Sequence, residues 1–284
     1  MTAEEHLRAG QLDEALAALQ QSIRANPADS KLRIFLFQLQ SISGAWQKAL
    51  TQLNVISDMD SETAILAKIF TPVLNLEALR AEVFAGKRSP LIFGEPPEWI
   101  GKLLQANQLI AQGNYAASSE LREQAFEEAP SMPGTINGAP FEWIADADSR
   151  LGPVIEAFLD GKYYWIPFSR IQTIIIEAPT DLRDLVWLPA QFVWANGGKA
   201  SAFIPTRYPG TESSPDTGLR LSRKTEWKEP AEGIYLGVGQ RLFATDQADV
   251  SLLDTRKIDF TKSDDSSAPV AEVAEAPAAE TPSP

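Results

Sequence analysis

Apolar residues recur at helical spacing throughout the first 130 residues. Three related phrases each open with a glycine: GQLDEALAAL from Gly10, GAWQKALTQL from Gly44 and GNYAASSELR from Gly113. They lie 34 and then 69 residues apart, close to one and two periods of a 34-residue repeat. That period is typical of tetratricopeptide repeats, in which helix pairs stack into a solenoid. Residues 1–130 are therefore predicted to form a tetratricopeptide-like α-solenoid.

Glycine and proline mark the predicted turns of this solenoid. Gly10 is placed at the tight turn between paired helices, where a side chain would block close packing. Pro27 is expected to follow a helix end, because the residue before a proline resists the helical conformation. Residues 64–86 depart from the repeat pattern. They are interpreted either as one long helix or as a pair of helices broken near Pro72.

The pattern changes after residue 135, where short runs rich in β-branched and aromatic residues are bounded by glycine, proline and asparagine. Such runs are typical of strands separated by turns. A mainly antiparallel β domain is predicted over 135–260, with a short helix near 152–159. The chain is thus expected to be an α+β protein of two domains. The predicted strands are 162–167, 172–177, 184–189, 191–196 and 200–205.

Composition limits the functions to consider. Residues 261–284 are acidic, lack aromatic residues and are rich in alanine, proline and serine, so a disordered tail is predicted. The net charge is -13 and no lysine or arginine cluster occurs, which argues against nucleic-acid binding. The absence of cysteine excludes disulfides, thiolate zinc sites and a cysteine nucleophile. No long apolar run or signal peptide is evident, so a cytoplasmic protein without membrane insertion is expected.

Acidic residues and arginines alternate in the stretch FEWIADADSRLGPVIE, residues 141–156. A calcium loop would need an oxygen ligand where Arg150 stands, which is unfavourable for a dication. Arginine neighbours also lower carboxylate pKa values, so ion pairs that fix turns are favoured over a catalytic acid and base. No catalytic residue, metal or cofactor is therefore predicted. The residues assigned to these turns are Asp146, Asp148, Arg150, Asp181, Arg183 and Asp184.

Several phrases occur in an order that resembles one protein family. FEWIADADSRLGPVIE is followed by GKYYWIPFSRI, PTDLRDLVWLPA, NGG and IPTRYPG. Over residues 1–260 the chain resembles the ImpE family, also called SciE-type or TagJ, which comprises accessory proteins of bacterial type VI secretion. The resemblance implies a non-catalytic adaptor that binds the N-terminal helix of the small sheath subunit. It also implies a link to the AAA+ ATPase that disassembles the contractile sheath.

The concave face of a solenoid suits an amphipathic partner helix. By repeat register, the predicted partner-binding residues are Lys31, Ile34 and Gln38 before Gly44, and Leu103, Asn107 and Ile110 before Gly113. The apolar ones could equally be core and the polar ones solvated. The aspartate and arginine motifs either define the fold or form a second partner surface. Two other functions stay open: a repeat scaffold for an unrelated complex, and an enzyme whose site lies among these motifs.

Overall fold

The computed structural model describes residues 1–261, so the predicted tail lies, apart from Thr261, outside the described residues. Helices occupy the N-terminal part as far as residue 128, as the apolar spacing predicted. Their turns carry the repeat glycines, which all adopt positive φ angles. The helices are α1 Ala3–Arg8, α2 Leu12–Ala25, α3 Ser30–Ile42, α4 Trp46–Ser57, α5 Ser61–Phe84, α6 Glu98–Ala111 and α7 Tyr115–Glu128.

Residues 64–86, predicted as either one long helix or a pair of helices, lie mostly in α5, the longest of these helices. It is one continuous helix of 24 residues with Pro72 inside it. Asp60 caps its start, where the carboxylate accepts a hydrogen bond from the Thr63 N–H at 2.8 Å. Buried positions recur at helical spacing along its whole length. We attribute its continuity to this packing, which outweighs the one backbone hydrogen bond that proline is unable to donate.

All but one of the described strands lie from residue 134 onward, and the strands form three sheets. The largest has nine strands in the order β1-β6-β5-β9-β8-β7-β14-β2-β3, a second has the order β13-β12-β4, and β10 pairs with β11 as a ribbon. A short helix, α8 Thr217–Arg220, precedes β10. The strands are β1 Leu91–Ile92, β2 Gly134–Ile136, β3 Ala139–Phe141, β4 Ile144–Asp146, β5 Val154–Leu159, β6 Lys162–Pro167, β7 Ile171–Ile176, β8 Trp187–Trp194, β9 Lys199–Pro205, β10 Thr225–Ala231, β11 Ile234–Gly239, β12 Leu242–Thr245, β13 Asp249–Ser251 and β14 Lys257–Phe260.

The sheets are antiparallel, as predicted, with one exception among the described strands. Strand β1 comes from the connection between α5 and α6 and pairs in parallel with β6. Leu91 lies opposite Tyr164, and Ile92 lies opposite Trp165. The helical part of the chain therefore supplies an edge strand to the main sheet. The sequence analysis did not anticipate this strand, since two residues are too few to show a period.

Two predicted elements in the β region are wrong. The helix predicted near 152–159 is strand β5, whose six residues are all buried between β6 and β9. A strand buried on both faces loses the alternation that identifies it in a sequence. The runs 184–189 and 191–196, predicted as two strands, instead give a 3₁₀ turn at Leu182–Leu185 followed by the single strand β8. The predicted strand 162–167 coincides with β6.

Side chains alternate between two apolar cores across the main sheet. Tyr163 and Trp165 of β6 face a core that includes residues of every helix from α1 to α7, whereas Ile166 belongs to a second core. In the first core the Phe70 ring of α5 lies 5.2 Å from Phe203 and 5.9 Å from Trp187, measured between centroids. Such aromatic contacts bury much apolar area and hold the helices on the sheet. The helical and β regions thus share one core.

Substitution of Gly44 by alanine should destabilise the protein more than the same change at Gly113. Both residues have positive φ, 68° and 78°, so alanine costs each about 1 kcal/mol in backbone strain. A Cβ at Gly44 would also lie 2.5 Å from Cγ of Glu212, whereas one at Gly113 meets no atom within 4 Å. Overpacking of this kind adds about 1–2 kcal/mol.

Urea unfolding of the two variants measures the difference directly. An equal loss in both would mean that Glu212 moves aside freely. The turn of the second repeat would then not be held against the β region.

Candidate functional site

Four of the predicted partner-binding residues are buried within the chain. The Gln38 amide donates a hydrogen bond to the Asp181 carboxylate at 3.2 Å, and the Asn107 amide donates one to the Arg150 carbonyl at 2.6 Å. Leu103 and Ile110 are buried as well. All four side chains are thus covered by the chain itself, and partner contact at these positions stays a prediction.

Two of the six predicted partner-binding residues keep accessible surface. Lys31 is exposed and Ile34 is half-buried, and both lie near the start of α3. They therefore stay candidates for a partner contact, at the rim of the solenoid. The helical period alone does not show which repeat positions are covered by other parts of the same chain.

The motif Asp146-Ala-Asp-Ser-Arg150 forms a hydrogen-bonded turn between β4 and β5. The Asp146 carboxylate accepts the N–H of Asp148 at 2.9 Å, and the Asp148 carboxylate accepts the N–H of Arg150 at 2.9 Å. The Arg150 guanidinium donates two hydrogen bonds to the same Asp148 carboxylate, at 2.8 and 2.6 Å. The N–H of Gly237 donates to it from β11 at 2.7 Å. These bonds fix the turn and attach the ribbon β10–β11 to it.

Glu156 of β5 lies at the centre of a buried charge network. The Arg80 guanidinium donates two hydrogen bonds to the carboxylate, at 2.7 and 3.1 Å, and the Tyr163 hydroxyl donates a third at 2.6 Å. Arg241 donates to Glu156 from the other side and to Asp146 with its second terminal nitrogen. The side chains of Glu156 and Arg241 are completely buried. One arginine thus links two carboxylates from different strands.

The network extends into helix α5 and ties it to the sheet. Arg80 also donates to the Arg207 carbonyl at 2.8 Å, and its guanidinium lies 3.6 Å from the Glu77 carboxylate. Glu77 in turn accepts a hydrogen bond from the Trp187 indole of β8 at 2.7 Å. A buried charge is tolerated only where such partners replace water, so the helix has one acceptable position against the sheet.

The sequence analysis missed Glu77, Arg80, Glu156 and Arg241. A signal for two of them does exist. Glu77 and Arg80 continue the apolar stripe of α5 at the same helical spacing, and a charge on a buried stripe needs a partner. The partners themselves lie too far along the chain for local spacing to reveal.

Electrostatics favour a structural role for this network. Burial alone would raise the pKa of Glu156, but Arg80 and Arg241 outweigh it and hold that pKa at about 2. Burial raises the pKa of Asp146 to about 6, although Arg241 lies against it. Both carboxylates are therefore mostly ionised at neutral pH and fully covered by protein. A general acid or base needs access to a substrate, which neither group has.

The second motif, Asp181-Leu-Arg-Asp184, also stabilises a turn. The Asp184 carboxylate accepts the N–H groups of Thr180 and Asp181 at 2.8 and 2.9 Å, which starts the 3₁₀ turn before β8. Arg183 pairs with Asp181, and its guanidinium carbon lies 5.1 Å from the centre of the Phe70 ring. Together with the Gln38 bond, these contacts fasten the turn to the helices.

Residues 1–261 contain neither a cluster of metal ligands nor a membrane-spanning helix. No group of three or more histidine, cysteine, aspartate or glutamate side chains there is placed to hold a metal ion. None of the helices in that range combines the length and the apolar character needed to cross a membrane.

Comparison with known proteins identifies the family. The protein-family model for "Tetratricopeptide repeat" matches residues 6–69, and the family model for "ImpE protein" matches residues 138–259. The chain is 50% identical over 264 residues to the type VI secretion system accessory component TagJ of Pseudomonas aeruginosa, covering 93% of this chain and 92% of that one. The chain belongs to the ImpE family. The resemblance noted in the sequence is thereby confirmed.

A solved relative shows that this arrangement recurs beyond close homologues. An X-ray crystal structure of a Vibrio parahaemolyticus protein superimposes with a TM-score of 0.81 at 27% identity, covering 92% of this chain and 98% of that one. Its coverage includes both the helical repeats and the ImpE region. The predicted α+β fold, with a repeat part followed by a mainly antiparallel part, is confirmed.

Proposed function

We propose that this ImpE-family chain is a non-catalytic adaptor of type VI secretion in the bacterial cytoplasm. It binds an α-helix at the N-terminus of the small sheath subunit and assists the AAA+ ATPase in sheath disassembly. The observation that carries the proposal is the 50% identity, over 93% of the chain, to a type VI secretion system accessory component. The tetratricopeptide match supports a binding role, because such repeats present surfaces to other proteins.

The arrangement of charged residues supports binding over chemistry. The acidic and arginine motifs that could have formed an active site are engaged with one another inside the protein. Their hydrogen bonds fix turns and join α5 to the sheet, which gives a rigid body. A rigid scaffold with accessible helix faces is suited to holding a partner segment in one orientation.

Calorimetric titration of the full chain with a synthetic peptide of the sheath subunit's N-terminal helix tests the proposal. The full chain is required because the helices share their core with the β region. We expect a dissociation constant of about 1–10 μM or tighter, which is typical of a helix docked on a preformed surface. A peptide of the same composition in scrambled order serves as the control.

Alanine at both Lys31 and Ile34 should weaken this binding by about tenfold if the rim of the solenoid is the site. The matched control replaces Lys68 and Ile69, a pair of the same two residue types exposed on α5. Equal weakening by both pairs would move the site away from α3. An absence of peptide binding to the unmodified chain would contradict the sheath-helix mechanism and favour a repeat scaffold for another complex.

A further inference from the structure

An apolar pocket lies where the last helix meets the β region, away from the charge network. It has a volume of about 410 Å³, within the usual range for ligand pockets. Most of its lining is apolar, and two large aromatic side chains in it are accessible: Trp143 is 43% exposed and Phe126 is 38% exposed. The lining residues are Phe126, Ala129, Pro130, Ser131, Met132, Trp143, Ile144, Ala145 and Pro153.

A glycine and a hydrogen bond position two walls of the pocket. Gly152 lies beneath the Phe126 ring, where a Cβ would come within 2.2 Å of Cζ, so only glycine lets the ring lie there. Ser131 donates a hydrogen bond to the Glu142 carbonyl at 3.0 Å, which ties the segment after α7 to the strand region. Because α7 and β4 both supply walls, the pocket requires the docked arrangement of the two regions.

Acidic residues are neighbours in the chain of two residues that line the pocket. Glu127 follows Phe126 in the chain and Glu142 precedes Trp143, and both are exposed. Asp246 lies beside Glu142, since its carboxylate accepts the N–H of Glu142 at 2.8 Å. Against these three carboxylates stands one arginine, Arg122, one turn before Phe126 on α7. The net charge near the pocket is therefore negative, so a partner with positive charges next to its apolar groups complements it.

We propose that this pocket docks a basic amphipathic segment of another protein. An apolar side chain of leucine type enters between Trp143 and Phe126, and flanking lysines or arginines meet Glu127, Glu142 and Asp246. Exposed aromatic pockets with a polar rim are the usual anchors of protein interfaces. The inference goes beyond the proposed function, because it depends only on the chemistry of the pocket.

The chain's own tail is a poor occupant, although it begins nearby. The N–H of Thr261 donates to the Pro133 carbonyl at 2.9 Å, and Pro133 follows Met132 of the pocket lining. That segment carries one lysine against five aspartates and glutamates. The negative charge of this segment is unfavourable next to the acidic residues near the pocket. The same charge favours the approach of a basic partner.

Two synthetic helical peptides of about 15 residues test the proposal in a calorimetric titration. Both carry leucine at the same helical spacing, with lysine at the other positions in one and glutamate in the second. We expect the lysine peptide to bind the full chain at least about tenfold more tightly than the glutamate peptide. Trp143→Ala should weaken the lysine peptide by about tenfold, and Ile65→Ala, at a 62% exposed residue of α5, by less than about twofold.

Charge variants separate docking from general attraction to an acidic protein. Glu142→Lys at the rim should weaken binding by about tenfold, whereas Glu232→Lys in the exposed β10–β11 turn should change it by less than about twofold. Equal effects of the two lysine variants, equal binding of the two peptides, or no binding of either would overturn the proposal.

Two further measurements address other occupants. Tighter binding of the lysine peptide after truncation at residue 261 would show that the tail occupies the pocket and would overturn the proposal. Dissociation of a dimer by Trp143→Ala in sedimentation would assign the pocket to a second copy and would overturn it as well. Urea unfolding confirms that the variants remain folded.

Discussion

Replacement of Arg241 by methionine is expected to lower the free energy of unfolding by about 3–5 kcal/mol. The Arg241 side chain is completely buried and donates to the carboxylates of both Asp146 and Glu156. Methionine has a similar volume but no charge, so one buried carboxylate keeps only its backbone partner and the other keeps only Arg80 and Tyr163. The cost is chiefly that of leaving charge uncompensated inside the protein.

Urea unfolding at neutral pH measures this loss. The matched control is Arg88→Met, because Arg88 forms an ion pair with Glu82 in which the side chains are 63% and 46% exposed. An exposed pair contributes less than about 1 kcal/mol, so the control should be nearly neutral. A similar small effect at both positions would show that the buried network is not what attaches the helices to the sheet.

Glu156→Gln is expected to remove part of the protein's sensitivity to acid. The pKa of Glu156 is about 2 in the folded protein, below its ordinary value of 4.5, because two arginines outweigh the effect of burial. Between these pH values the unfolded chain binds the proton more readily, so folding stability falls as the pH falls from 4.5 towards 2. The loss over the full interval is about 3 kcal/mol.

Asp146 acts in the opposite direction. Its pKa of about 6 lies above the ordinary 3.8, so the folded protein takes up this proton first. Its contribution to stability therefore increases as the pH falls from about 6 towards 4. The two carboxylates titrate mostly in different pH intervals. Comparison of the unmodified chain with Glu156→Gln therefore isolates the change in folding stability that is due to Glu156.

The measurement is urea unfolding between about pH 3 and 7 for the unmodified chain and for Glu156→Gln. The slope of stability against pH below 4.5 should be shallower in the variant, whatever its absolute stability. Glu232→Gln, at an exposed turn, should leave the slope unchanged. Parallel curves for all three proteins would mean that Glu156 keeps an ordinary pKa in the fold.

Sequence patterns predicted the parts of this fold that depend on local periodicity. The repeat glycines, the helix end before Pro27 and strand β6 follow from residues close in the chain. Strand β5 was misread because it is buried on both faces, which removes the alternation on which the prediction rests. The alternatives for α5 could be decided only by its burial in the assembled molecule.

In the candidate site, too, the sequence revealed contacts between nearby residues and missed those between distant ones. The sequence correctly indicated that Asp146, Asp148 and Arg150 form charge-assisted bonds within a turn. It did not show that Glu156 and Arg241, from distant parts of the chain, complete the network. The partner-binding residues were predicted from repeat register alone. Register relates positions within the helices and does not show which other parts of the chain pack against them.

The buried charge network has a consequence for how the protein is made. Arg80 leaves the ribosome 161 residues before Arg241, an interval of about 8–32 s at ordinary rates of translation. Strand β14, which lies between β7 and β2 in the main sheet, emerges later still. The nascent helices therefore cannot complete their packing on the sheet until the last strands have been synthesised, and their charged side chains stay hydrated until then. A nascent chain shorter than 241 residues lacks the arginine that joins Asp146 to Glu156, so α5 and the sheet are not yet held together by the full network.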